Sequence, residues 1–172
     1  MDNILVVPGL RNSGPGHWQT WLEATVPGTR RVEQADWEHP CLSEWAAKVR
    51  AAIDATPDPL WIVAHSFGCL ASVTAAFSRP QRVRGALLVA PADPDRFRQP
   101  AVLLEERLAF PSLVVASSND PWVAAGVAER WAGAWGSDYV NIGAAGHINV
   151  DSGHGPWPQG LAFFEQVKAR AA

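Results

Sequence analysis

Hydrophobic and polar positions along this chain switch repeatedly between two periods. Short apolar or β-branched runs, the length of a buried strand, are separated by stretches whose apolar residues recur every three to four positions, as on one face of a helix. Ile4–Val7 reads as a short strand closed by Pro8-Gly9, and His17–Thr25 places Trp18, Trp21, Leu22 and Thr25 on one helical face. Arg30–Gln34 is a weak strand. After Pro40, the residues Leu42, Trp45, Ala46, Val49, Ala52 and Ile53 fall at helical spacing, and Pro57 ends the helix. Leu60–Ala64 reads as a strand, Phe67–Ser78 as an Ala-rich helix, and Val83–Ala90 as a strand with a nearly continuous apolar centre, which suits a sheet covered on both faces. Asp93–Leu108 is irregular, with room for one short helix. Ser112–Ser117 follows as a strand, Pro121–Trp135 as a helix with Pro at its start, and Tyr139–Ile142 as the last strand. A Gly-rich loop then leads to a closing helix over about Gln159–Ala171. Six strands alternating with helices predict a mostly parallel, doubly wound α/β sheet with helices on both faces and its chemistry at the strands' C-terminal ends.

Composition narrows the function classes. The 172 residues are expected to form a single domain, 1–172, with no room for a second of useful size. A net charge of −3, with basic residues scattered, supplies no basic field for nucleic acid or an anionic membrane. Ala86–Ala90, as long as any apolar stretch in the chain, is far short of a bilayer span. Met1-Asp2-Asn3 runs straight into the first strand without a basic leader or a cleavage site, so a cytoplasmic protein is expected. Cys41 and Cys69 are too few for a disulfide framework and are not at C-x-x-C spacing; both are expected to be reduced and packed as small hydrophobes. Gly9, Gly14 and Gly16 do not form G-x-G-x-x-G, and no phosphate-loop Lys follows, so no nucleotide cofactor is expected. His147, Asp151 and His154 have the spacing of one helical face, but their segment is Gly-rich and no second ligand cluster exists. No metal is expected there.

Ala64-His65-Ser66-Phe67-Gly68 joins a strand to a helix and matches the nucleophile-elbow pattern small-x-Ser-x-Gly, with Ala in the first small position. The serine of such an elbow sits on a strained turn, so its neighbours two residues away must be small. The alternative is a plain helix N-cap. A nucleophilic serine needs a base, and the base needs an orienting acid. Asp120 follows the strand ending at Ser117, and His147 follows the last strand, in the chain order Ser, Asp, His of α/β-hydrolases. Asp120 could instead cap the helix after it, and Asp93 and Asp95 are rival acids. His65 is a poor base, because neighbouring side chains on an elbow diverge. Oxyanion donors are expected at the backbone N–H of Phe67 and of Leu10, with Arg11 a close rival for the second. Trp21, Trp45 and Trp61 read as core. His17, Trp18, Trp122 and Trp157 are candidates for lining the pocket, where aromatic walls would suit an acyl or aryl group.

Taken together, Ile4–Gly9 with His17-Trp18, Ala64–Gly68, Ser118-Asn-Asp-Pro-Trp122 and Gly146-His-Ile-Asn149 resemble the small serine-hydrolase family that includes retinoblastoma-binding protein 9 and bacterial YdeN-like proteins. Gly146–Gly160 is similar to the bacterial branch. The resemblance implies a compact α/β-hydrolase fold without a cap or lid domain, with Ser66 as nucleophile, Asp120 as acid and His147 as base, and no cofactor. The expected activity is hydrolysis of small soluble carboxylic esters rather than long-chain lipids, since no insertion is long enough for a lid. The alternatives are a thioesterase or amidase using the same residues, or a protein-interaction module on a hydrolase scaffold, whose partner the sequence does not name.

Overall fold

A computed structural model describes residues 2–99 and 104–171 of the chain. Six strands, β1 (Ile4–Val7), β2 (Thr29–Arg31), β3 (Leu60–His65), β4 (Val83–Val89), β5 (Ser112–Ala116) and β6 (Asp138–Asn141), form one sheet in the order β2-β1-β3-β4-β5-β6. Every neighbouring pair is parallel. The helices are α1 (Trp18–Thr25), α2 (Leu42–Asp54), α3 (Phe67–Phe77), α4 (Ala125–Trp135) and α5 (Pro158–Arg170). The chain steps outward from β1 to β2 and then returns to lay β3 on the other side of β1. That reversal opens a crevice between the ends of β1 and β3, the place where open α/β sheets bind ligands.

Side chains alternate across the sheet and bury both faces. Leu5, Val7, Ile62, Ala64, Leu88 and Val114 pack with α2, α3 and α4; Ile4, Val6, Val63, Leu87 and Val115 pack with α1 and α5. Because β1, β3 and β5 are buried along their whole length, they read in sequence as apolar runs, broken only by His65 at the end of β3 and Ser112 at the start of β5. Each large apolar side chain buried this completely contributes about 1.5–3 kcal/mol. The edge-to-face pair of Trp61 and Phe164, centroids 6.0 Å apart, joins β3 to α5.

The departures from expectation are local. β2 stops at Arg31 rather than Gln34, because its only neighbour, β1, ends at Val7 and offers nothing to pair with beyond Val32. β6 begins one residue early. The irregular stretch after β4 holds a 3-10 turn over Pro94–Phe97, and residues 100–103 of it lie outside the described residues. Cys69 is buried as expected, and burial pushes its thiol up. Cys41 is only half-buried at the start of α2, 3.3 Å from the Ser43 hydroxyl, and does not pack as a core hydrophobe. Among the described residues, no helix is long and apolar enough to cross a membrane.

Candidate active site

β3 ends at His65 and α3 starts at Phe67, so Ser66 makes the turn alone. It does so at φ 53° and ψ −124°, where a residue with a side chain carries of order 1–3 kcal/mol of strain. The packing around it explains the small neighbours. A Cβ on Gly68 would collide with the carbonyl oxygens of Val7 and Pro8, and one on Gly9 would stand 2.7 Å from the Ser66 Cβ. The Ala64 methyl, by contrast, packs as part of the core, so the one carbon beyond glycine is used in packing there.

Ser66 Oγ–H donates to His147 Nε2 at 3.0 Å, and His147 Nδ1–H donates to Asp120 Oδ2 at 2.8 Å. The Asp120 side chain is 1% exposed. Its other oxygen, Oδ1, accepts the backbone N–H groups of Trp122 at 2.8 Å and Val123 at 3.3 Å. One carboxylate oxygen thus faces the imidazole and the other closes a local turn; Asp120 does not cap α4, whose N-cap is Ala124 without a side-chain bond. The turn it closes occupies the residues expected to begin α4, which starts instead at Ala125. Asp93 Oδ1 accepts the N–H of Asp95 and opens the 3-10 turn, without a bond to His147. The loops that carry Asp120 and His147 are sewn together: Ser117 Oγ accepts the N–H of Ala145 at 2.9 Å, and Asn119 Oδ1 accepts that of Gly146 at 2.8 Å.

Beneath His147 lies a pair of ring donors. His65 Nε2–H donates to the His147 carbonyl at 2.9 Å, and Trp18 Nε1–H donates to the Ile148 carbonyl at 2.9 Å. They hold a segment in which Ile148, a β-branched residue, adopts φ 50°. Burial, and next the neighbouring His147, drives the His65 pKa well below the usual histidine value. His17 caps α1 by accepting the Gln19 N–H at Nδ1, 3.1 Å, and burial followed by the Arg31 charge lowers its pKa to about 4. Both rings are therefore neutral near pH 7. His65 is not the base, and no local sequence pattern marks the task it does perform, since the group it holds lies 82 positions away.

Ser66 opens onto a cavity of about 630 Å³ that is also lined by Leu10, His17, Trp122 and His147. Trp18 and Trp157 do not line it. Both are buried below, with centroids 5.2 Å apart, where their flat bodies fill the floor under the histidine loop. Phe97 and Val150 do line it, and nothing in their local sequence marked them. At the end of β1, the Arg11 N–H is committed to the Trp37 carbonyl at 2.9 Å and the Asn12 N–H to the Gly9 carbonyl. The N–H groups of Leu10 and Phe67 have no hydrogen-bond partner among the described residues.

Residues 4–166 match the family described as Serine hydrolase. Among solved structures, one from Pectobacterium atrosepticum described as a YdeN-like hydrolase is 37% identical, with a TM-score of 0.88 over 96% of this chain and 91% of its own. The ydeN gene product from B. subtilis is 18% identical, with a TM-score of 0.77 over 98% of this chain and 100% of its own. Est1E from Butyrivibrio proteoclasticus, solved with ferulic acid bound, is 13% identical, with a TM-score of 0.79 over 99% of this chain and 89% of its own. The last two likenesses are of fold. No curated protein sequence matches the chain.

Proposed function

This chain belongs to the serine hydrolase family, and from that premise we propose that it cleaves small carboxylic esters through an acyl-enzyme on Ser66. The observation that carries the proposal is the unbroken hydrogen-bond chain from Ser66 Oγ through His147 to Asp120, opening on a cavity. In this reading His147 Nε2 takes the hydroxyl proton as Ser66 Oγ attacks the ester carbonyl, and Asp120 Oδ2 keeps the imidazole in the Nδ1–H tautomer and stabilises its cation. The N–H groups of Leu10 and Phe67, without a partner among the described residues, receive the oxyanion, the second standing at the N-terminus of α3. His147 returns the proton to the leaving alcohol, and water repeats the sequence on the acyl-enzyme. The whole chain, 1–172, acts as one domain on a small-molecule substrate. A cytoplasmic location belongs to the same reading and fits the two free thiols.

Steady-state kinetics on matched ester, thioester and amide substrates test this reading. Esters are expected to give the highest kcat/KM. Ser66→Ala should lower kcat by a factor on the order of 10⁶, as loss of such a nucleophile does elsewhere. Asp120→Asn should cost about 10⁴ by leaving the wrong tautomer, with Asp93→Asn far milder. Activity retained in Ser66→Ala, or the reverse order of the two aspartates, contradicts the assignment.

A further inference from the structure

Among the described residues, the exposed large hydrophobic side chains gather at one place. Trp122, 57% exposed, and Val150, 50% exposed, are the exposed large hydrophobic side chains among the described residues, and both line the cavity that holds Ser66. Folded domains place such patches where something apolar binds. Phe97 and Leu10 continue the same wall. The Trp122 backbone is fixed by its hydrogen bond to Asp120 Oδ1, so the indole starts from a defined point beside the acid. The Arg96 guanidinium, 6.0 Å from the ring centroid, is within cation–π reach of it. A held ring needs less ordering when a ligand arrives.

Charge then narrows the ligand. Arg11 and Arg96 on the cavity wall are equalled in number by Asp93 and Asp151, and Arg11 is paired with Glu38 at 3.2 Å. Two of the lining histidines, His17 and His65, carry no charge near neutrality. The charged side chains on the wall are two of each sign, so the wall as a whole does not select for an ionised substrate. A flat ring on the substrate, however, gains stacking on an indole beyond the burial of its area, worth roughly threefold to tenfold in affinity.

We propose that Trp122 is the stacking platform for an uncharged aromatic ring carried by the ester substrate. The proposal rests on Ser66 as the nucleophile and adds the substrate class. Benzyl acetate, methyl phenylacetate and ethyl butyrate test it, placing a ring on the alcohol side, on the acyl side, and nowhere. In Trp122→Ala the kcat/KM of at least one aromatic ester, relative to that of ethyl butyrate in the same variant, falls roughly threefold to tenfold. Trp122→Phe, which keeps a flat ring, retains most of the ratio. Ratios for both aromatic esters unchanged in Trp122→Ala overturn the platform. So does a wild-type protein that cleaves ethyl butyrate and neither aromatic ester. Wild-type protein inert to all three contradicts the ester reading itself, and the platform falls with it.

Discussion

At the scale of single residues, the site depends on groups that never touch a substrate bond. His65 and Trp18 each place a ring N–H on a carbonyl of the histidine loop, at 2.9 Å in both cases. Replacing His65 by Phe removes one donor, leaves the His147 carbonyl unpaired in a buried setting, and frees the imidazole to drift. A buried acceptor without its partner costs about 1–3 kcal/mol, and a displacement near 1 Å in a reacting group can cost about 10² in rate. His65→Phe is therefore expected to lower kcat tenfold to a hundredfold with little change in KM, while His65→Gln, which keeps an N–H donor, recovers part of the loss. Equal losses in kcat for the two variants would mean that His65 acts through packing alone. None of this is visible in sequence. Ser66, Asp120 and His147 stand out there because each follows a strand end, whereas the donors that steady them are defined only by contacts between distant loops.

At the scale of elements, the strand–turn–helix around Ser66 is governed by how closely α3 crosses the end of β1. Gly68 allows that approach, since any Cβ there meets the carbonyls of Val7 and Pro8. Backbone cannot give way as a flexible side chain can, so Gly68→Ala is expected to destabilise the protein by at least about 1–3 kcal/mol, the range for overpacking. Urea denaturation reads this directly, and a wild-type midpoint in Gly68→Ala would contradict the close approach. Gln19 reinforces the same junction from α1: its Nε2 donates to the carbonyls of Val7 at 3.3 Å and Val63 at 3.2 Å, tying β1 to β3. The four central strands and the helices were legible in the sequence because those strands are short apolar runs and the helices have apolar faces, whereas the edge strands β2 and β6, partly exposed, carry weaker patterns. The ends of the elements were less legible. The start of α4 shifted because Asp120 closes a turn of its own, and the end of β2 shifted because its partner strand runs out; both are tertiary facts.

At the scale of the whole molecule, buried neutral histidines make stability depend on pH. The His17 pKa is held near 4 by burial and by Arg31, against 6.5 when exposed, and His65 is shifted the same way. Between pH 6.5 and about 4 the unfolded chain binds a proton that the folded His17 refuses, so folding stability falls as pH drops through that window and is fully present above it. The His17 share is about 3 kcal/mol. His17→Asn keeps a capping acceptor for Gln19 but does not titrate. Its stability relative to wild type is therefore expected to improve as pH is lowered from 7 to 4, and a constant difference would contradict the neutral, buried imidazole. The most direct test of the central claim concerns the nucleophile itself. Intact-mass analysis after treatment with a serine-directed fluorophosphonate should show one adduct on the folded wild-type protein and none on folded Ser66→Ala. An unmodified wild type, or an adduct that persists in Ser66→Ala, would contradict an activated serine at position 66.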